Sequence, residues 1–294
     1  MRRITLLLAT VALVLLLGGG VAASQQLQEQ STSSQSTTTN KSGGDVSIQS
    51  TTVKASFASG SGANFLGVKV SNHGNLLSFE SPANQEAVFG GREGYAVCST
   101  NGSTHNGHDT GEVEGGFGTP TFVQPTAGAF PLTVTRNTTD GKFQLKQVWA
   151  KPDATEKDIT VTMTLTNRSS STIQGVLMSR SGDFDVGTNS SSDRGARTLD
   201  SAWLWDDAFD TGAPGGLMLT ALTFGTSHLT GIETASTWVG DGTPTNPGTR
   251  QACGADRVNT PTTEASDLTM KVFYGFGDLS AGQSKTVKFE YGRM

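Results

Sequence analysis

The sequence predicts an all-β protein, an antiparallel β-sandwich built as one large sandwich or as two small ones. Two observations lead to this prediction. Apolar and polar residues alternate with a period of two wherever the chain shows a clear pattern, and turn-forming residues separate the alternating segments. Glycine, which permits tight turns, supplies 37 of the 294 residues, against an average usage of about 7%.

The clearest strand is Asp158–Asn167, where four apolar residues alternate with four threonines. One buried and one wet face are typical of an antiparallel sheet. The same alternation occurs in Leu268–Phe276 and again near the C-terminus. We therefore expect the apolar positions to be buried and the intervening threonines to be wetter. The predicted core residues are Ile159, Val161, Met163, Leu165, Met270, Val272, Tyr274, Val287 and Phe289.

Weaker patterns predict six further strands, which are Phe65–Val70, Leu76–Phe79, Leu132–Thr135, Phe143–Trp149, Ile173–Met178 and Leu217–Phe224. Turn signals such as Asp140-Gly141 and Ala281-Gly282 lie between strands. One segment, Arg194–Phe209, predicts a helix, because Leu199, Trp203 and Asp206 fall near helical spacing.

The N-terminus predicts export of the chain. A basic start is followed by the apolar run Ile4–Leu17 and by small residues that end at Ala23, the order found in secretory signal peptides. Residues 1–23 are therefore predicted to be a signal peptide; a retained membrane anchor is the alternative. Residues 24–52 are rich in Ser, Thr and Gln and predict a disordered linker. The sandwich domain is then 53–294, in a secreted, extracellular or cell-surface protein.

Charge and cysteine content narrow the class further. The net charge is −5 and Lys and Arg do not cluster, so the sequence argues against a nucleic-acid partner. The chain contains two cysteines, Cys98 and Cys253. Because export leads to an oxidising compartment, we expect them to form one disulfide. The alternatives are two free buried thiols or half of a metal site.

Two segments resemble strands of bacterial cell-surface sandwich modules of the immunoglobulin-like type. They are Ile159–Asn167, followed by a Ser-rich turn, and Asp278–Phe289 with its Ala-Gly turn. The resemblance covers 20 to 30 residues and implies architecture, with no functional residue carried over. The predicted folded part is more than twice the usual size of such a module.

An aspartate cluster is the most unusual local feature of the sequence. Asp183, Asp185 and Asn189 surround Gly187, and Asp193 follows shortly after. Short oxygen-bearing side chains on a tight loop suit Ca²⁺, which takes six to eight oxygen ligands. The sequence therefore predicts a calcium site here, after the strand Ile173–Met178. The alternatives are turn-building aspartates neutralised by neighbouring arginines, or catalytic carboxylates.

A second candidate site contains the tryptophans. Trp203 and Trp205 alternate beside Asp206 and Asp207. On a strand, the two indoles would share one face, where flat rings beside carboxylates can stack on and hydrogen-bond a sugar. The alternative is that both indoles lie in the core, as large hydrophobic side chains usually do.

Three function classes remain. The sequence shows neither Gly-x-Ser-x-Gly nor His-Glu-x-x-His, which argues against the usual serine hydrolases and zinc proteases. A non-catalytic protein that binds a glycan, the cell wall or another protein is favoured. A carbohydrate-active enzyme is the alternative, with paired carboxylates from the aspartate cluster or from glutamates such as Glu93. A structural coat or spacer protein is the third class.

Overall fold

The computed structural model describes residues 52–82, 93–100, 104–108, 115–184, 186, 193–206, 216–234 and 268–294. Within these residues the chain forms sixteen strands and one 3-10 turn, Gly62–Asn64. The strands are β1 Val53–Ser59, β2 Leu66–Ser71, β3 Leu76–Glu80, β4 Glu93–Cys98, β5 Thr104–His108, β6 Thr121–Val123, β7 Leu132–Asn137, β8 Phe143–Trp149, β9 Asp158–Asn167, β10 Ile173–Asp183, β11 Asp193–Arg197, β12 Ser201–Asp206, β13 Gly216–Ala221, β14 Ser227–Thr234, β15 Leu268–Leu279 and β16 Ser284–Arg293. No helix in the described ranges is long and apolar enough to cross a membrane.

The strands form three sheets. An eight-stranded sheet has the order β11-β12-β13-β16-β9-β8-β7-β6, a five-stranded sheet has the order β14-β15-β10-β4-β5, and β1-β2-β3 form the third. Neighbouring strands are antiparallel throughout these sheets. Strands β12 and β13 contact β15 across the interior, and one hydrophobic core joins the sheets. The predicted antiparallel sandwich is confirmed.

Strand β9 lies between β16 and β8, and its alternating residues show which face of the eight-stranded sheet is buried. Val161 pairs with Phe289, and Met163 pairs with Val287. All nine predicted core residues are at most 1% exposed, while the four threonines of β9 are half-buried on the other face. On that outer face the Thr164 and Thr286 hydroxyls lie 2.9 Å apart. Both the burial and the register predicted for β9 are confirmed.

Strand β15 departs from this pattern because both of its faces are buried. Thr269 and Lys271 are fully buried and Phe273 is 1% exposed. The strand lies between β14 and β10, away from either edge of its sheet. The expectation of a wetter threonine is therefore wrong at Thr269, which is fully buried although it alternates with the core residues of the strand.

The predicted helix Arg194–Phe209 is wrong. Its described part forms β11 and β12, which pair with each other. Within β12, Ala202, Leu204 and Asp206 are buried while the residues between them are half-buried, a period of two. The turn between the strands is closed by hydrogen bonds from the amides of Asp200 and Ser201 to the Thr198 hydroxyl. Pairing of β12 with β13 on its other side outweighs the weak helical spacing.

The predictions for the N-terminal segments and for the disulfide remain predictions. The signal peptide and all of the linker except Thr52 lie outside the described residues. Cys98 is the last residue of β4, is 5% exposed and carries no free thiol. Cys253 lies outside the described residues.

Candidate functional site

Glu93, one of the candidate catalytic carboxylates, lies in the interior of the protein. Its oxygens accept hydrogen bonds from Arg180 Nε at 2.8 Å and Arg180 Nη2 at 2.7 Å. The Leu76 amide donates to the same carboxylate at 2.6 Å, and Tyr291 donates its hydroxyl. Burial raises the pKa of Glu93, and the positive charge of Arg180 opposes that rise. With these donors in place, the carboxylate has a structural role.

The same arginine holds the turn between β2 and β3. Arg180 donates to Gly74 O at 3.2 Å and to Gln147 Oε1 at 2.9 Å, and its guanidinium lies 4.7 Å from the Trp149 ring centre. His73 O accepts hydrogen bonds from Tyr95 and Gln147. Buried side chains of the two larger sheets therefore bind the main chain of this turn and attach the three-stranded sheet.

The outer face of β12 carries the two tryptophans. Trp203 and Trp205 are both half-buried, whereas Leu204 between them is fully buried. This placement follows from the strand's period of two, which puts alternate side chains on opposite faces. The two indoles therefore share one face of the eight-stranded sheet, as the strand interpretation of this segment predicts.

One register row connects Trp203 to a carboxylate. Trp203 pairs with Met218, Met218 with Gly292, and Gly292 with Asp158. Directly paired residues point to the same face. Three strand spacings of about 4.8 Å place Asp158 about 14 Å from Trp203. We call this row, together with Trp205 and Glu290, the tryptophan strip.

The far end of the strip is acidic. Glu290 pairs with Thr160, so it is a diagonal neighbour of Asp158 on the same face. Burial raises the pKa of both carboxyl groups. The negative charges of Asp153 and Glu156 raise the pKa of Asp158 further, and that of Asp158 raises the pKa of Glu290. The positive charge of Lys288 opposes both shifts.

A shallow pocket of about 440 Å³ lies near this acidic end, between β1 and the loop that follows β8. Asp153 in that loop accepts hydrogen bonds from the amides of Thr155 and Glu156, which lower the pKa of Asp153. The Asp153 amide donates to Asp158 O at 2.9 Å, so the loop is tied to the end of the strip. The pocket is lined by Phe57, Ser59, Lys151, Pro152, Asp153 and Ala154.

The two aspartates predicted beside the tryptophans are not placed with them in the described structure. Asp206 is 4% exposed and points to the opposite face of β12 from the indoles. Asp207 lies outside the described residues. The carboxylates that share the face of Trp203 are instead Asp158 and Glu290, on β9 and β16.

The predicted calcium ligands are only partly described. Asp193 begins β11, is fully buried and accepts a hydrogen bond from the Val186 amide at 3.2 Å. The backbone of Asp183 ends β10, while Asp185 and Asn189 lie outside the described residues. Among the residues that the structure describes, no group of three His, Cys, Asp or Glu side chains suits a metal ion. The calcium site stays a prediction.

Asp200, in the turn between β11 and β12, contacts a histidine. Its Oδ1 lies 2.6 Å from His228 Nε2, and His228 Nδ1 lies 2.9 Å from Thr226 O. A main-chain carbonyl can only accept, so Nδ1 donates to it. With both ring nitrogens in hydrogen bonds, the imidazole offers no open position for a substrate proton. This pair joins the β11–β12 turn to β14.

Sequence reasoning missed Asp158, Glu290 and Met218 as site residues. Each sits in an alternating strand among ordinary solvent-facing residues, and their proximity depends on the pairing of strands far apart in the chain. The one signal present in the sequence was the alternation itself, which places Glu290 on the outer face of β16.

No protein family matches the chain, and no curated protein is similar to it. Among solved structures, a bacterial glucoamylase in complex with acarbose has a TM-score of 0.46 and 6% identity, covering 84% of this chain and 34% of that one. A polysaccharide lyase has a TM-score of 0.37 and 11% identity, covering 83% and 33%. The chain spans about a third of the length of these two proteins. Similarity at this level carries no argument about function.

Proposed function

We infer that this protein is a non-catalytic glycan-binding protein of the cell surface or extracellular space, and that the tryptophan strip is its binding face. The observation that supports this is the position of Trp203 and Trp205 on the outer face of β12, each half-buried. An indole held in a sheet offers a rigid flat apolar surface at little cost in conformational entropy.

The rest of the strip complements the indole. Met218 continues the apolar surface beside Trp203, and Gly292 adds no side chain in the next strand. Asp158 and Glu290 then supply acceptor oxygens for sugar hydroxyls. Apolar surface with a few placed polar groups is the usual composition of a small-molecule site. The length of the row suits an oligosaccharide lying across the strands.

A carbohydrate-active enzyme is the second candidate, and one observation favours it. Asp158 and Glu290 are neighbouring carboxyl groups with raised pKa values, and a general acid at neutral pH needs such a shift. Binding is preferred because the pair lies on the outer face of a sheet, where its side chains are only half-buried. Acid–base chemistry on a sugar gains most from a site that excludes water.

Replacing Trp203 with Ala is expected to weaken glycan binding at least about tenfold, or about 1.4 kcal/mol, because the stacking surface is lost. Binding is measured by a glycan-array screen of the intact protein, followed by titration with the best oligosaccharide. Phe224→Ala is the matched control, because Phe224 is an exposed aromatic residue outside the strip. Equal affinity of wild type and Trp203→Ala would place the ligand elsewhere.

The same oligosaccharides test the two other function classes, a carbohydrate-active enzyme and a structural coat or spacer protein. Release of new reducing ends by wild type, and not by Glu290→Gln, would establish the enzyme in place of the binding protein. Absence of any glycan ligand across the array would favour the structural coat.

Replacing Asp158 with Asn and Glu290 with Gln is expected to raise the melting temperature at pH 7. The folded-state pKa values of both groups lie above the ordinary 3.8 and 4.5, so the folded protein binds these protons more tightly than the unfolded chain does. Wild type therefore loses stability as the pH rises through the raised pKa values. The gain of the double variant should shrink towards zero as the pH falls below 3.8.

Thermal melts at pH 3.5 to 7.5 check this result. Asp153→Asn is the matched control, because the pKa of Asp153 is lowered and its contribution has the opposite sign. That contribution is present above pH 3.8 and is lost as the pH falls, so this variant should melt lower than wild type at pH 7. A double variant that melts below wild type at pH 7 would contradict the raised pKa values.

A further inference from the structure

Two Asn-x-Ser/Thr triplets fall within the described residues, and the structure gives them opposite environments. They are Asn137-Thr138-Thr139 at the end of β7 and Asn167-Arg168-Ser169 at the end of β9. Such a triplet is the acceptor sequence for N-linked glycosylation in exported proteins. The triplet alone does not distinguish the two positions.

Asn137 is exposed, and so is the hydroxyl-bearing Thr139 of its triplet. The side chain of Asn137 accepts one hydrogen bond through Oδ1, from Gln144 Nε2 at 3.1 Å. Nδ2, the atom that would carry a sugar, takes no part in that bond. A glycan on Asn137 therefore extends into solvent and leaves the pairing of β7 with β8 intact.

Asn167 is fully buried, and its amide is used by the fold. Nδ2 donates to Ser171 O and to Leu279 O, both at 2.8 Å, and Oδ1 accepts from the Ser169 amide at 2.9 Å. A sugar on Nδ2 would replace one of its two hydrogens and break at least one of these bonds. It would also force a large polar group into the interior.

We propose that Asn137 is an N-glycosylation site of the exported chain and that Asn167 remains unmodified in the folded protein. The sugar donor is a lipid-linked oligosaccharide pyrophosphate. The bond between the anomeric carbon and the pyrophosphate oxygen breaks, a bond from that carbon to Nδ2 forms, and the amide loses one proton. Strands β7 and β12 are five spacings apart in the sheet order, about 24 Å, so the attachment point is well separated from Trp203.

The test is secretion of the full chain from a host that N-glycosylates, followed by tryptic peptide mapping of the folded protein. Cleavage after Arg136 and Lys142 isolates Asn137, and cleavage after Lys157 and Arg168 isolates Asn167. The peptide 137–142 should carry a glycan and the peptide 158–168 should be bare. Both Asn137→Gln and Thr139→Ala should remove the glycan from the first peptide.

An Asn-x-Thr triplet appended after Met294 serves as the positive control for the host. Modification of that tag together with an unmodified peptide 137–142 would overturn the assignment of Asn137. A glycan on peptide 158–168 in folded, secreted protein would overturn the protection of Asn167. Binding to the glycan array is measured separately, so failure of either proposal leaves the other testable.

Discussion

Replacing Arg180 with Met is expected to lower the free energy of unfolding by about 3–5 kcal/mol, because it leaves a buried carboxylate without its counter-charge. Arg180 and Glu93 are both fully buried. The guanidinium also bonds Gly74 O and Gln147 Oε1, so two acceptors lose their donor in the variant. Urea denaturation of the intact protein measures the change.

A double-mutant cycle tests whether the loss of stability comes from the interaction between Arg180 and Glu93. Glu93→Gln removes the charge and keeps similar size, so the double variant Arg180→Met with Glu93→Gln should be less destabilised than the sum of the two single variants. Strict additivity would show that the two groups act independently. An Arg180→Met variant within about 1 kcal/mol of wild type would contradict the need for a counter-charge.

Replacing Trp149 with Ala is expected to cost about 3–5 kcal/mol of stability, as truncation of a buried tryptophan does. Trp149 is fully buried, stacks on Tyr291 with ring centres 6.1 Å apart and lies beside the Arg180 guanidinium. Alanine would leave a cavity between the Arg180 guanidinium and the Tyr291 ring, both of which Trp149 contacts. The change is read from the same urea denaturation.

Trp203→Ala is the matched control, since it removes the same side chain from the outer face of the sheet. We expect it to cost less than about 1 kcal/mol, because the indole is half-buried and leaves no enclosed cavity. If the two tryptophan variants lost equal stability, Trp203 would belong to the core. That outcome would also remove the main support for the tryptophan strip.

The strands that could be predicted from the sequence are those with one buried face and one solvent-facing face. Strand β9 was predicted with the bounds that it has, because one of its faces is dry and the other is wet. Strand β4 was missed because all six of its residues are buried, so it shows no alternation. The helix prediction for Arg194–Phe209 was wrong because turn residues separate two short strands there and interrupt the period of two.

The candidate site was predictable only where neighbours in sequence share a face. Trp203 and Trp205 are two residues apart on β12, and a period of two is enough to place their indoles together. Asp158 and Glu290 are 132 positions apart in the sequence and meet because β16 pairs with β9. No pattern within a short stretch of the sequence predicts the pairing of β16 with β9.

Local periodicity therefore determined the class of fold, the core face of the clearest strands and the shared face of the two tryptophans. Each of these follows from the geometry of a single strand, which the chain carries in its own order of residues. Only the three-dimensional fold decided which residue each carboxylate contacts. It also decided that Asn137 is exposed and Asn167 is buried, although both begin an Asn-x-Ser/Thr triplet. The pairing of distant strands buries Glu93 completely beside Arg180, so its charge has a structural role. Glu290 lies on the outer face of the sheet and is only partly buried, so it remains a surface group. The two glutamates differ because burial determines how strongly the charged form of a carboxyl group is disfavoured.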